Sequence, residues 1–283
     1  MNRVAPLPIW VASVATLRDW VYAHSTRAHR IKRKPVGFVS LVGAGPGSAD
    51  LITLRGMRVL QAADVVFYDR LADPALLNHV RVGVRLEDVG KAPGNHAIPQ
   101  DEICGMLVQA ALQGLRVVRL KCGDPGVFGR GAEEAAALDA AGVPWDIVPG
   151  VTAACAAAAS ARSFLTERGL TERVIFATGH RREGDSTDWA ASAAPGTTLA
   201  CYMGVAGAGV MQRGLIAAGW PANSAVEVIS KAQTPQERVL SCPLSGLAAL
   251  CQSVPGLNPA MVLIRWPQVA LMPVAASRAA VGA

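Results

Sequence analysis

Short apolar runs alternate with segments of helical periodicity between residues 36 and 148, and this alternation is the strongest constraint on the fold. Four of the runs have the length and the β-branched content of strands. The segments between them place apolar residues at helical spacing. The predicted strands lie within residues 37–45, 64–68, 116–120 and 145–148, and the predicted helices are 51–63, 100–113 and 133–141. Strands that alternate with helices predict an α/β layer with a mostly parallel sheet.

A second block follows residue 150 and is richer in strands, with fewer crossover helices. Its predicted strands are 173–178, 197–203, 225–230, 237–241 and 260–265, and its predicted helices are 151–161 and 210–218. With 51% hydrophobic and 17% charged residues, the chain has enough apolar side chains for two cores and is not of the disordered class. We therefore predict a basic N-terminal extension, two α/β domains and a loose tail, at 1–35, 36–148, 149–268 and 269–283.

The positive charge of the chain is confined to the N-terminal extension. Seven basic residues and one acid lie in residues 1–35, which therefore carry the whole net charge of +6. The neutral body gives no reason to expect nucleic-acid binding. Within the extension, Trp10, Val14, Leu17 and Val21 lie at helical spacing. The extension is thus either a solvated leader or an amphipathic helix that docks on an acidic surface, a membrane or a partner.

Cysteine usage and the longest apolar run both favour a cytoplasmic protein. The six cysteines form no CxxC pair and have no histidine at metal-ligand spacing, so we expect reduced, buried thiols and no metal site. The longest candidate membrane segment, Ile9 to Leu17, is far shorter than the roughly 20 residues that span a bilayer, and Arg18 and Asp19 end it. A basic cluster follows it instead of a small-residue cleavage site, so we expect no secretory signal.

Two glycine-rich turns are the candidate ligand loops. Gly43 to Gly47 follows a predicted strand and precedes a helix, which suits an anion or a nucleoside, although Ser48 stands where a dinucleotide fingerprint has its third glycine. A structural turn is the alternative there. Arg119 to Gly131 (RLKCGDPGVFGRG) has so many glycines after a strand that a ligand must approach the backbone closely, unless the turn is purely structural. Asp124 could accept from a hydroxyl or cap the next helix, and Arg130 could bind an anion.

Seven short motifs in this order and spacing carry a family resemblance. They are VGAGPG, YDRL, VGKAPGNHAIPQDEI, RLKCGDPGVFGRGAEE, VPGVTAA, ATGH and YMG. Together they resemble the tetrapyrrole (precorrin) methylase family over about residues 36–266. The stretch from Val89 to Ile103 favours the branch of that family that acts on uroporphyrinogen III.

The resemblance implies a fold, a reaction and a cofactor. The expected fold has two α/β domains with a cleft between them, and it differs from the Rossmann-type methyltransferase fold. S-adenosylmethionine is the implied methyl donor, and no metal is implied. The implied substrate is the small-molecule tetrapyrrole uroporphyrinogen III, methylated at two pyrrole carbons through precorrin-1 to precorrin-2 on the way to siroheme- or cobalamin-type products. The enzyme is expected to be a homodimer.

The resemblance also implies roles for individual residues. Asp69 in YDRL matches a carboxylate proposed as a base, and Lys91 in VGK matches a residue implicated in activity. Residues matching the donor site are Pro46, Cys122, Gly123, Asp124, Val127, Thr152, Ala153, Met203, Ala232, Pro259 and Ala260. The alternatives are that Asp69 caps a helix or pairs with Arg70, and that Lys91 is an ordinary surface lysine.

Basic side chains are expected in the cleft because the implied substrate carries eight carboxylates. The candidates are Arg70, Lys91 and Arg130, with His96 and Arg119 as further ones. His180 in ATGH is either a polar contact near the cleft or a structural histidine.

Three positions depart from the family pattern. Cys122 and Gly126 replace a glycine and a large apolar residue, and Glu167 stands where a histidine is usual, before Arg168. If Glu167 faced the substrate, its charge would repel a polycarboxylate. Two alternatives therefore remain: the substrate is altered, or the loop lies in a different position. A methylase of a later precorrin or another acceptor, and a non-catalytic ligand-binding relative, therefore remain as alternatives. The non-catalytic alternative is disfavoured by four retained residues, namely Asp69, Lys91, Asp124 and Met203.

Overall fold

The computed structural model describes residues 35–90, 98–179 and 188–268, and within them it contains two five-stranded sheets. The contacts divide the chain between Pro35 and Val36, at the predicted end of the N-terminal extension, and both sheets belong to the unit that begins at Val36. The predicted α/β class is confirmed, with one sheet in each half of that unit. The finer division into domains and a tail stays a prediction.

The first sheet is entirely parallel. Its strands are β1 (Phe38–Gly43), β2 (Val65–Tyr68), β3 (Arg85–Asp88), β4 (Arg116–Lys121) and β5 (Trp145–Val148), in the order β3-β2-β4-β1-β5. In the register, Phe38 of β1 lies opposite Arg116 of β4, and Val39 lies opposite Trp145 of β5. The parallel pairing and four of the five strands are those that the strand–helix alternation predicts, whereas β3 was not predicted.

Helices cover both faces of the first sheet. The α-helices are α1 (Leu54–Ala62), α2 (Gln100–Leu112) and α3 (Gly131–Ala140), and the 3₁₀ helices are Ala49–Leu51 and Pro74–His79. Because successive strand residues point to opposite faces, Leu41 and Phe67 pack against α2 and α3, whereas Val42 and Val66 pack against α1. α1 begins after Thr53, whose Oγ1 accepts a hydrogen bond from the Gly56 nitrogen at 3.1 Å.

The second sheet is mixed. Its strands are β6 (Arg173–Thr178), β7 (Thr197–Tyr202), β8 (Ala225–Ser230), β9 (Arg238–Pro243) and β10 (Ala260–Trp266), in the order β6-β7-β10-β8-β9. Only the β6–β7 pair is parallel among these neighbours. The remaining elements are α4 (Ala153–Ser160), α5 (Ala208–Ala217), α6 (Leu247–Ser253) and the 3₁₀ helices Ala190–Ser192 and Leu244–Gly246.

Small side chains let α4 lie close to one face of the second sheet. Ala154 and Ala157 of α4 are fully buried against Tyr202, Ile229 and Met261. The other face packs on α5 and α6 and holds most of the larger side chains of this half. Among the helices of the described residues, none combines the length and the apolar character that a membrane span requires.

Candidate functional site

The loops that follow β1 and β4 lie side by side at the carboxyl edge of the first sheet. The Gly45 nitrogen donates to the Gly123 oxygen at 3.2 Å, and the Gly123 nitrogen donates to the Gly45 oxygen at 3.0 Å. Ligands of open parallel sheets bind at this edge, beyond the carboxyl ends of the strands. Both predicted ligand loops are therefore at the edge where a ligand is expected.

Glycine is required where three strand ends meet. A Cβ on Gly43 would stand 2.6 Å from the Gly150 Cα, and a Cβ on Gly150 would stand 2.3 Å from the Gly123 oxygen. Gly123 itself has a φ of +71°, and a Cβ there would find nothing described nearer than 3.8 Å. The glycines at the strand ends thus serve packing, while Gly123 leaves open space beside its backbone.

Asp124 ties two loops together. Its Oδ1 accepts from the Gly126 nitrogen at 2.8 Å, and its Oδ2 accepts from the Gly150 nitrogen at 3.0 Å. The predicted capping of the following helix does not occur, because Arg130 is the residue at the N-cap of α3. Asp124 therefore fixes the loop after β5 relative to the loop after β4.

Tyr202, at the end of β7, connects the second sheet to the start of α4. Its hydroxyl lies 2.5 Å from the Thr152 Oγ1 and accepts from the Ala154 nitrogen at 3.3 Å. Burial raises the pKa of Tyr202, so the phenol stays protonated at neutral pH. The ring of Phe128 packs on the Tyr202 ring with centroids 4.9 Å apart.

Strained backbone conformations cluster near these loops. Six described residues other than glycine have a positive φ, namely Phe128, Arg130, Arg162, Met203, Lys231 and Gln233. Such conformations are costly for residues with a side chain and concentrate at functional sites. Of the six, Phe128, Met203, Lys231 and Gln233 line one cavity.

That cavity is a cleft of about 750 Å³ bounded by loops from both sheets. All the residues predicted to surround the methyl donor line it: Pro46, Cys122, Gly123, Asp124, Val127, Thr152, Ala153, Met203, Ala232, Pro259 and Ala260. These residues come from six separate segments of the chain. The cleft is mostly apolar with a few polar groups, and its size suits a small molecule.

Asp69 also lines the cleft, and a buried arginine holds it. Arg119 Nη2 lies 2.5 Å from Asp69 Oδ1. The alternative that Asp69 pairs with Arg70 is wrong, since Arg70 Nε instead binds Asp88 Oδ2 at 2.8 Å. Arg70 does line the cleft, as expected for a substrate-binding group.

Two other predicted basic groups are not in the cleft lining. Arg119 is only 3% exposed and faces Asp69 and Glu134, which corrects the expectation that it contacts a substrate carboxylate. The guanidinium of Arg130 binds Glu133 at 2.6 and 2.8 Å, so the substrate role of Arg130 stays a prediction. Lys91, His96 and His180 lie outside the described residues.

The three departures from the family pattern have different surroundings. Burial and the charge of Asp69 raise the pKa of the Cys122 thiol, which lines the cleft, to about 11. A Cβ on the exposed Gly126 would stand 3.1 Å from Asp124 Oδ1. Glu167 is exposed, exchanges backbone hydrogen bonds with Thr171 and is not in the cleft lining. The position of Glu167 therefore favours the alternative of a different loop position and not the alternative in which an acid faces the substrate.

Several lining residues were not predicted as site residues from the sequence, and Tyr202, Phe128 and Lys231 are among them. Tyr202 stands in the YMG motif next to the predicted Met203, and Phe128 stands inside the glycine-rich turn, so both had a positional signal. Lys231 had none. Across the described parts of the chain, no group of three or more His, Cys, Asp or Glu residues is placed to hold a metal ion.

Comparison with protein families and known sequences gives matches over most of the chain. Residues 39–248 match the model of the Tetrapyrrole (Corrin/Porphyrin) Methylases. A uroporphyrinogen-III C-methyltransferase of Paracoccus denitrificans is 48% identical over 231 residues, which are 81% of this chain and 80% of that protein. A siroheme synthase of Zymomonas mobilis is 43% identical over 249 residues, covering 87% of this chain. The chain spans about half the length of the siroheme synthases that it matches.

A solved structure shares the fold. The uroporphyrin-III C-methyltransferase of Thermus thermophilus, complexed with S-adenosyl homocysteine, has a TM-score of 0.70 and 35% sequence identity. The match covers 81% of this chain and 97% of that chain.

Proposed function

The chain belongs to the tetrapyrrole (corrin/porphyrin) methylase family, and on this premise we propose that it is an S-adenosylmethionine-dependent C-methyltransferase that acts on uroporphyrinogen III. The proposed reaction methylates two pyrrole carbons, through precorrin-1 to precorrin-2. Its product supplies siroheme- or cobalamin-type tetrapyrroles, in keeping with relatives that are named siroheme synthases.

One observation carries the proposal. Six segments that lie far apart in the sequence converge on a single cleft, and they are the segments for which the family resemblance implies contacts with the donor. The Thermus thermophilus relative is complexed with the product form of the same donor. Convergence of this kind is what a bound nucleoside and amino acid would require of the chain.

The residues of the cleft fit S-adenosylmethionine. Gly123 leaves its backbone open to the cleft, and Thr152 with Tyr202 and Met203 supplies a wall of mixed polar and apolar character. The donor supplies an electrophilic methyl group on sulfur. What the chain must add is alignment of the acceptor carbon and exclusion of water, and a mostly apolar cleft suits both tasks.

Asp69 is the proposed proton acceptor. C-methylation of a pyrrole requires loss of a proton from the ring along the reaction path, and a carboxylate in the cleft can take it. Asp69 Oδ1 is bound by Arg119, so Oδ2 is the oxygen that has no hydrogen-bond partner among the described residues. Arg119 thus orients the carboxylate and leaves one oxygen for the substrate.

Carboxylates of the substrate are proposed to meet basic groups at the rim of the cleft. Arg70 lines the cleft, and Lys231 approaches from the loop after β8 with no ion-pair partner among the described residues. Lys91, His96 and Arg130 remain proposed contributors. A polycarboxylate bound in this way would be held more weakly as ionic strength rises.

The oligomeric state and the compartment are further proposals. We propose a homodimer because the family resemblance implies one, and a cytoplasmic location because the cysteine pattern suits a reducing compartment. Light scattering of the purified chain at micromolar concentration checks the first, since a mass close to 29.4 kDa would contradict it.

The test is an anaerobic incubation of the purified chain with methyl-labelled donor and uroporphyrinogen III. We expect label in the tetrapyrrole, a mass increase of two methyl groups, and an absorbance change from the dimethylated product. Raising the salt concentration should raise KM for the tetrapyrrole. Labelling only of a tetrapyrrole that is already dimethylated would favour the later-precorrin alternative. Donor binding without transfer to any tetrapyrrole would favour the non-catalytic alternative.

A further inference from the structure

A cluster of buried charges contacts Asp69 and is not part of the cleft lining. It consists of Arg119 and Lys121 of β4 and Glu134 of α3, whose side chains are all at most 3% exposed. With Asp69, the cluster balances two cations against two carboxylates. None of the proposed chemistry uses Lys121 or Glu134.

One oxygen of Glu134 holds the cluster together. Oε1 accepts from Arg119 Nε at 2.9 Å, from Lys121 Nζ at 2.9 Å and from Gln100 Nε2 at 3.2 Å. Oε2 is fully buried and has no partner among the described residues. Glu134 is therefore directed at the two cations by a single oxygen, and half of its hydrogen-bonding capacity is unused.

Stability alone does not favour such a cluster at this position. Neighbouring side chains on the same face of the sheet, such as Leu41 and Val117, are apolar and fully packed. Replacing a buried ion pair by apolar groups of similar volume is often neutral or stabilising, because the desolvation cost disappears. Burial already lowers the pKa of Lys121, with the charge of Arg119 as a second cause. A functional reason for retaining the charges is therefore needed.

Arg119 supplies that reason, because it joins the cluster to the cleft. Its Nη2 binds Asp69 while its Nε binds Glu134, so the planar guanidinium spans two carboxylates from different elements. Its Nη1 also donates to the Leu120 oxygen at 3.2 Å. With these contacts the guanidinium has one orientation, and that orientation sets the position of Asp69.

We propose that Glu134 is a positioning residue for methyl transfer, which acts through Arg119 to hold Asp69 with one oxygen directed at the substrate. In this arrangement the positive charge of Lys121 compensates Glu134, so the positive charge of Arg119 compensates Asp69. This inference rests on the proposed function, and it concerns how the proton acceptor is oriented, not whether the donor binds.

The test compares two double variants that differ in one hydrogen-bond acceptor. Lys121→Met with Glu134→Met removes the pair and leaves Arg119 balanced by Asp69. Lys121→Met with Glu134→Gln is also balanced, but its amide oxygen can still accept from Arg119 Nε. Glu87→Gln, in an exposed pair with Arg85, is the control. Each protein is assayed for kcat, for KM of both substrates, for affinity towards S-adenosylhomocysteine by calorimetry, and for its melting temperature.

The variant with Lys121→Met and Glu134→Met, called the Met/Met variant, should lose at least tenfold in kcat, with KM and S-adenosylhomocysteine affinity within about twofold of wild type. The variant with Lys121→Met and Glu134→Gln should recover most of that loss. Equal loss in both double variants, wild-type kcat in the Met/Met variant, or a change confined to KM would each overturn the proposal. If the Met/Met variant does not fold, Arg119→Lys serves as the test, since an ammonium cannot span both carboxylates as the guanidinium does. A wild-type kcat in Arg119→Lys would refute the inference. A tenfold loss of kcat at unchanged donor affinity would support it. An inactive wild type would instead refute the proposed function.

Discussion

Gly47 lies against Ala232 where loops from the two sheets meet at the cleft. A Cβ on Gly47 would stand 2.3 Å from the Ala232 oxygen, and the φ of Gly47 is +80°. Gly83 has a similar φ of +85°, but nothing described lies within 4 Å of a Cβ there. An alanine at Gly83 would therefore change only the free energy of the backbone conformation, whereas an alanine at Gly47 would also disturb the contact between the loops.

We predict that Gly47→Ala destabilises the protein more than Gly83→Ala does. Gly83→Ala should cost about 1 kcal/mol of unfolding free energy, the price of a left-handed conformation. Gly47→Ala should cost about 1–3 kcal/mol more, because the loops must separate, and it should also weaken S-adenosylhomocysteine binding. Urea unfolding and calorimetry on the pair test this. Equal losses in the two variants would mean that the contact between the loops is unimportant.

Asp69→Asn should lower kcat by about 10²–10⁴, the usual contribution of a general base, while donor affinity changes by less than about twofold. The amide keeps the shape of the carboxylate and an oxygen for Arg119, but it cannot take a proton. Asp139→Asn is the matched control, because Asp139 is exposed and accepts from Trp145 Nε1 at 2.7 Å. Steady-state kinetics on both variants decide, and an unchanged kcat in Asp69→Asn removes Asp69 from the mechanism.

Met203→Glu should weaken S-adenosylhomocysteine binding by at least about tenfold, because an unpaired charge would be desolvated beside the ligand. Met203→Leu keeps a similar apolar volume and should remain within about threefold of wild type. Titration calorimetry on the two variants measures both effects. Normal affinity in Met203→Glu would contradict the position of the donor beside Met203.

The Cys122 thiol should react slowly with iodoacetamide. With its pKa raised to about 11 by burial and by Asp69, only about one molecule in a thousand carries the thiolate at pH 8. The exposed Cys155 is the internal reference. Peptide mapping after brief labelling should find Cys155 modified before Cys122, and labelling in guanidinium should reach both. Early modification of Cys122 would mean that the cleft does not bury it.

Asp64 should make stability depend on acid pH. Hydrogen bonds from Arg116, and to a lesser extent from Arg81, lower the pKa of Asp64 from 3.8 to about 2. A carboxyl group whose folded pKa is depressed stabilises the fold above the unfolded pKa, and this contribution is lost as pH falls through the folded pKa. Because both arginines are half exposed, we expect about 1 kcal/mol at pH 7.

Urea unfolding of wild type and Asp64→Asn from pH 7 to pH 3 measures this contribution. The advantage of the wild type should be constant down to about pH 4 and should shrink below it. A difference that stays the same at pH 3 would show that the Asp64 contacts are not those of a charged carboxylate.

Most of the first sheet could be predicted from the sequence, because buried parallel strands are continuous apolar runs. β3 was missed since its residues, Arg85–Asp88, are mostly polar and lie at the sheet edge, where one face can stay in water. The short α6 was also missed, since its seven residues give too few turns for a helical period. The mixed pairing of the second sheet depends on contacts between distant strands, which periodicity does not encode.

The composition of the cleft could be predicted from motifs, but its internal hydrogen bonds could not. Arg119 and Asp69 are fifty residues apart in sequence and meet only because β2 and β4 are neighbours in the sheet. For the same reason Arg119 was expected to face the substrate, whereas it is buried in ion pairs with Asp69 and Glu134. Lys231 was missed because its place in the cleft depends on the loop after β8, which has no motif of its own.

A crystal structure of the chain with S-adenosylhomocysteine tests the position of the donor most directly. We predict density for the nucleoside in the cleft beside Gly123 and Met203, with the sulfur on the side that faces Asp69. Density for the nucleoside at any other surface, with the cleft unoccupied, would contradict this prediction.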